Sequence, residues 1–151
     1  ATPEKQTLNA KEQVAGIAQM CEENTAAMKQ RQAEKSLYSR LGGNEGINKF
    51  SSRLYENHQS NDQIGHMFKN TSSEAFVNNV TEFLVAHSGG GGKYTGRTMT
   101  NVHKDLGITY GDFLAAGGDV QNAMKELGHG DNEIQEAVCF LVSHIPKVVT
   151  K

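Results

Sequence analysis

Residues 93–109 read Lys93-Tyr94-Thr95-Gly96-Arg97-Thr98-Met99-Thr100-Asn101-Val102-His103-Lys104-Asp105-Leu106-Gly107-Ile108-Thr109. At helical spacing His103 shares a face with Met99, Val102 and Leu106, so its imidazole is expected to point inward. An inward histidine on a short element, entered from the four glycines at 89–92, is a candidate metal ligand, because neutral imidazole donates well to first-row metals. A lone inward histidine is more often a satisfied core residue. The rest of the chain has to decide.

Upstream of the glycines, Phe76, Val80, Phe83, Leu84 and His87 recur at spacings of three and four, which predicts a helix over about 73–87. The glycine run lacks the G-x-x-x-x-G-K-S/T pattern and follows no strand, so it is not a phosphate loop. Its alternatives are a plain loop and a hinge that lets the chain wrap closely around something. Further back, Ile47, Phe50 and Leu54, with Tyr55 beside Leu54, predict a helix capped by Asn44 after the Gly42-Gly43 stop of a short helix. The polar run 57–63 ends it, and Met67-Phe68 follows as a short apolar pair.

Downstream, Phe113, Gly117, Val120, Met124 and Leu127 form one amphipathic helix. Ile134, Ala137, Val138, Leu141, Val142 and Ile145 form another, capped by Asp131 or Asn132. No segment shows a period of two, and proline occurs only at positions 3 and 146. The fold class is all-α, with five or six helices.

Residues 1–36 are polar and mixed in charge, with Val14, Ile17, Ala18 and Cys21 on a narrow stripe. A helix lying on the domain or projecting from it, outside the core, is expected. Mixed charge and the lack of aromatic anchors argue against a membrane-surface helix.

A chain of 151 residues with net charge −2 is a single domain without a clustered basic face, which excludes a nucleic-acid surface. No apolar run reaches 18 residues, so no transmembrane segment is expected. The start at Ala1 is compatible with a cleaved signal, with Met removal or with an artificial boundary, which leaves both cytoplasmic and exported locations open. Cys21 and Cys139 belong to no C-x-x-C pattern, which excludes a c-type haem attachment or a paired-cysteine zinc site. Spacing does not argue for a disulfide, and two free thiols are the expectation.

The pieces L-Y-S-R-L-G-G, L-Y-E-N, M-F and Y-T-G-R-x-M-x-x-V-H-K-D-L-G-I-T, in that order and spacing, resemble group I of the truncated haemoglobins over residues 37–149. The resemblance implies a two-over-two helical sandwich around haem b, formed by residues 37–151, with 1–36 as an extra helical extension. It explains the glycine run as chain passing beneath a flat cofactor. His103 matches the proximal histidine that ligates the iron, and Phe68 matches the phenylalanine packed on the haem face. Tyr55 matches the distal tyrosine, whose hydroxyl donates to bound ligand. Phe76, Val80, Phe83, Leu84, Met99, Val102, Ile108, Phe113, Val138 and Leu141 are then the implied pocket walls.

The chain departs from the family pattern on the distal side. Phe76 and Val80 stand where a second polar donor, commonly glutamine, is often found. Asn79 stands where a basic residue often reaches a haem propionate, or a histidine in some members binds iron. Tyr55, helped by Asn79, is thus the expected distal set. Lys93, Thr95 and Arg97 are candidate propionate contacts, against the commoner reading as solvated loop residues. His87 is assigned a structural or haem-edge role, and His58, His66, His129 and His144 are expected at the surface.

The function implied is reversible binding of oxygen and other diatomic ligands, nitric oxide and carbon monoxide among them. One alternative is nitric oxide dioxygenation, which requires a separate reductase because the chain has no flavin or nicotinamide domain. The other is a six-coordinate sensor or electron-transfer role, disfavoured by the lack of histidine at 79.

Overall fold

The computed structural model describes residues 9–151, and every regular element among them is helical. The first described helix, α1 (Ala10–Glu23), opens on a capping box in which the Asn9 side chain accepts from the Glu12 amide at 2.9 Å and Glu12 accepts from the Asn9 amide at 3.4 Å. A break at Asn24 separates α1 from α2 (Thr25–Glu34). Ser36 caps the single turn α3 (Leu37–Arg40).

Gly42, at φ +96°, turns the chain into α4 (Gly43–Ser60). It takes the cap position expected for Asn44, whose side chain instead accepts from the Tyr38 hydroxyl. A left-handed residue at this position favours glycine, which has no Cβ to clash. A 3-10 turn, Gly65–Phe68, leads to α5 (Ser73–Ser88), capped by Ser72. Gly89 ends α5 at φ +105°, and a side chain at Gly90 would run into the Tyr38 ring.

Thr98 then caps α6 (Met99–His103), and a Thr109/Asp112 capping box starts α7 (Tyr110–Glu126). Gly130, rather than Asp131 or Asn132, is the cap of α8 (Asp131–Val142), and a last turn, α9 (Ile145–Val148), carries Pro146 in its first turn. The described residues thus hold nine α-helices instead of five or six. The break at Asn24 divides the N-terminal segment, and α9 adds a turn too short to show a period.

α4 packs on α5 and α7, and α7 packs on α8, which gives the two-pair arrangement that the resemblance implies. The core joins Leu41, Ile47, Phe50 and Leu54 to Val120, Ala123 and Met124 of α7 and Ile134 of α8. Ile47 and Ala123 have no exposed surface. Burying each large aliphatic side chain contributes about 1.5–3 kcal/mol, so this cluster is the main support of the fold.

The N-terminal segment is bound more firmly than its narrow stripe suggests. α1 packs against both α7 and α8, and Val14 is buried with the core side chains. Contrary to the expectation of free thiols, Cys21 and Cys139 form a disulfide, with their Cα atoms 5.5 Å apart. Their approach depends on α1 docking against α8, which no spacing rule contains. α2 adds an ion network: Arg31 Nε meets Glu136 at 2.9 Å, and Arg40 Nη1 meets Glu136 at 2.6 Å and Glu133 at 3.0 Å.

Candidate functional site

α6 is a single turn held between its Thr98 cap and the α9 turn that packs on it, and it presents His103 half-buried. The His103 Nδ1–H donates to the Met99 carbonyl one turn back, at 2.7 Å. That bond directs the proton to Nδ1 and leaves Nε2 with its lone pair. Burial pushes the imidazole below its ordinary pKa, against the opposing effect of the Met99 bond, so the neutral ring is favoured. Leu106, expected on the same inward face, is 40% exposed, because α6 ends at His103 and the chain turns through residues 104–107.

Beside Met99 lies a cavity of about 240 Å³, lined by Phe83, His87, Tyr94, Thr98, Met99, His144 and Lys147. Phe83 is its aromatic centre, 4.3 Å from the His87 ring, 5.0 Å from Tyr94 and 5.6 Å from Phe140 between centroids. His144, expected at the surface, is half-buried here, its ring 5.4 Å from Phe83 and its Nδ1 2.9 Å from the Phe140 carbonyl.

A second group gathers Tyr55 of α4, Phe68 of the 3-10 turn and Phe76 of α5. Tyr55 is buried, with its ring 6.4 Å from Phe68 and 5.2 Å from Phe76, and those two rings are 5.6 Å apart. The Tyr55 hydroxyl donates to the Thr71 carbonyl at 2.7 Å and accepts from Gln59 Nε2 at 2.9 Å. Val80 is half-buried on α5, whereas Asn79 faces solvent.

The remaining expected walls fall in two sets. Phe76, Leu84, Val138 and Leu141 pack against the core cluster. Val102 and Phe113 are half-buried, and Ile108 is buried, its carbonyl accepting from the Thr150 and Lys151 amides at 2.9 and 3.1 Å. Among the loop residues, Lys93, Thr95 and Arg97 are exposed. The Thr95 hydroxyl donates to Glu82 at 2.7 Å and Arg97 Nη2 to the Asn101 carbonyl at 2.8 Å, ties that hold the loop to α5 and to α6.

Two features escaped the sequence reading. Gln59 donates from Nε2 to the Tyr55 hydroxyl; its signal was the four-residue step from Tyr55, which places it one helical turn further along α4. His58 is not a surface residue but 6% exposed, its Nδ1–H donating to Asp119 at 2.7 Å. Burial lowers its pKa, and the Asp119 bond only partly opposes this.

A family model described as bacterial-like globin matches residues 36–147. The group 1 truncated hemoglobin of Tetrahymena pyriformis is 30% identical over 103 residues, which are 68% of this chain and 85% of that protein. The chain belongs to the group 1 truncated haemoglobins. Group 1 truncated hemoglobin GlbN of Mycolicibacterium paratuberculosis is 28% identical over 121 residues, 80% of this chain and 89% of that one. Among solved structures, the Fe(III) form of the Tetrahymena pyriformis truncated hemoglobin superposes with a TM-score of 0.71 at 27% identity, covering 78% of this chain and 100% of that one. The 2/2 hemoglobin of Synechococcus, in the cyanomet state and with covalently attached heme, gives a TM-score of 0.67 at 25% identity over 74% of this chain and 94% of that one.

As a truncated haemoglobin this chain takes haem and its iron as cofactor, and the family binds oxygen and other diatomic gases there. The residues present fit that group. His103 offers a half-buried, neutral imidazole with Nδ1–H committed to a carbonyl, which is the form in which histidine ligates iron. Among the described residues, no helix of this truncated haemoglobin is long and apolar enough to cross a membrane.

Proposed function

We propose that this truncated haemoglobin binds oxygen and other diatomic ligands reversibly, with His103 as the proximal iron ligand and Tyr55 as the distal donor. The observation that carries this is the 2.7 Å bond from His103 Nδ1–H to the Met99 carbonyl. It fixes the tautomer, holds the ring against rotation and raises the basicity of Nε2. Haem iron, when bound, supplies the centre at which a diatomic ligand is held.

On the other side, the Phe68 and Phe76 rings flank the buried Tyr55. The Tyr55 hydroxyl has one proton, now given to the Thr71 carbonyl. A rotation about its C–O bond redirects that proton toward a ligand that carries partial negative charge. Gln59 still donates to the hydroxyl oxygen in that arrangement and polarises the O–H bond. Asn79, exposed on α5, would reach the ligand only by a change of side-chain direction, and is the weaker member of the proposed pair.

Visible spectra of the ferric, ferrous and carbon-monoxide-bound protein test the proximal assignment. His103→Ala is expected to lose the histidine-ligated ferrous spectrum. A ferrous spectrum unchanged from that of the parent protein contradicts the assignment.

A further inference from the structure

Behind the Tyr55 group lies a buried histidine–aspartate pair that the proposed ligand chemistry does not use. His58, one turn along α4 from Tyr55, donates from Nδ1 to Asp119 Oδ2 of α7 at 2.7 Å. Asn61 Nδ2 donates to both Asp119 oxygens at 3.2 and 3.1 Å, and Asn57 Nδ2 to the Asp119 carbonyl at 3.4 Å. His58 and Asp119 are 6% and 9% exposed, so water does not replace these bonds. The carboxylate is held by three donor contacts and in turn fixes the plane of the imidazole.

That plane has a specific use. The His58 ring stacks on Phe68 with centroids 5.1 Å apart and planes 20° from parallel. Its edge relation to Phe76 is at 5.9 Å and 86°. Phe68 and Phe76 are the two rings that flank Tyr55. A chain of contacts therefore runs from Asp119 on α7 through the His58 ring to the phenylalanines and the distal tyrosine.

We propose that His58, oriented by Asp119, is a positioning residue for ligand binding, its ring fixing Phe68 and through it the placement of the Tyr55 hydroxyl. This rests on the reading of Tyr55 as distal donor. A merely structural His58 would tie α4 to α7 through its hydrogen bond alone. A positioning His58 acts through its ring.

Two substitutions in the haem-loaded protein separate the hydrogen bond from the ring. His58→Asn retains an N–H donor close to the Nδ1 position and removes the stacked ring. His58→Phe retains the ring and removes the donor. Oxygen dissociation by stopped flow and the bound carbon monoxide stretch by infrared are read for both, beside Tyr55→Phe.

His58→Asn is expected to release oxygen roughly fivefold faster or more, a size typical of coupled contacting residues, and to shift the stretch. His58→Phe keeps a ring but loses the Asp119 bond that orients it, so it is expected to quicken release by clearly less than His58→Asn does, and to unfold more easily. Parent-like behaviour of His58→Asn, or equal change in both variants, overturns the proposal. Should His58→Asn fail to take up haem, His58→Gln is read against the same two outcomes. If Tyr55→Phe quickens release and His58→Asn does not, only this inference falls. If Tyr55→Phe is silent, the distal reading falls and takes the inference with it.

Discussion

The Tyr55 hydroxyl donates to the Thr71 carbonyl at 2.7 Å while accepting from Gln59 at 2.9 Å. The hydroxyl's single proton is thus engaged before any ligand arrives, and on the proposed distal reading it turns from Thr71 to the ligand. Tyr55→Phe removes both bonds. A hydrogen bond to a charged or strongly polar group contributes about 1.5–3 kcal/mol, so oxygen release is expected to accelerate by roughly ten- to a hundred-fold. Stopped-flow displacement of oxygen by carbon monoxide measures it. An unchanged rate removes Tyr55 from the ligand site.

Gln59 donates to the Tyr55 hydroxyl, so on the proposed distal reading it acts on the ligand only through Tyr55. Gln59→Leu is expected to quicken oxygen release by less than Tyr55→Phe does, and to have no effect in a Tyr55→Phe background. The double-mutant cycle checks this. Additive effects of the two substitutions would mean that Gln59 reaches the ligand independently.

The Cys21–Cys139 disulfide spans 118 residues and joins α1 to α8. Replacing both cysteines by serine is expected to cost about 2–4 kcal/mol of unfolding free energy. Urea titrations of the parent with and without a dithiol reductant, and of the double variant, measure it. A double variant that unfolds at the same urea concentration as the oxidised parent contradicts a stabilising staple.

Two buried groups set separate acid windows. His58 has its pKa lowered by burial, so the unfolded chain takes up the proton more readily than the folded one. Its contribution to stability is complete above the ordinary histidine value of 6.5 and is lost as the pH falls through the folded pKa. Burial raises the Glu136 carboxyl, but hydrogen bonds from Arg40 and Arg31 outweigh it and leave the pKa below 4.5. Its contribution is present above 4.5 and is lost only below that. Urea midpoints measured from pH 7 to pH 3 should fall in both windows for the parent. The first fall should be smaller in His58→Phe, and the second in Glu136→Ala, which should also lose about 1–3 kcal/mol at pH 7 because Arg31 and Arg40 lose their shared carboxylate while Arg40 keeps Glu133. A Glu136→Ala variant as stable as the parent would mean that the network contributes nothing.

The helices that carry the site were legible because their signals are local. Met99, Val102 and His103 mark a short helical face by their spacing, and the glycine run at 89–92 marks the end of α5. His58 was missed for a physical reason. Its neighbours Asn57, Gln59 and Ser60 read as a polar turn, yet α4 continues to Ser60 and places His58 on the inner face of Leu54 and Tyr55. Its partner Asp119 is 61 residues away, and nothing local in either sequence segment announces the other. The disulfide is the same case at greater range, since it exists only once α1 has docked on α8. Leu106 shows the converse error: the helical period was carried past His103, where the helix stops.

His103→Gly, loaded with haem and reduced, with imidazole added from solution, tests the proximal assignment most directly. The visible spectrum is expected to lose histidine ligation in the variant and to regain the parent's form as imidazole fills the space left by the side chain. A variant whose ferrous spectrum matches the parent's without imidazole would show that another residue ligates the iron.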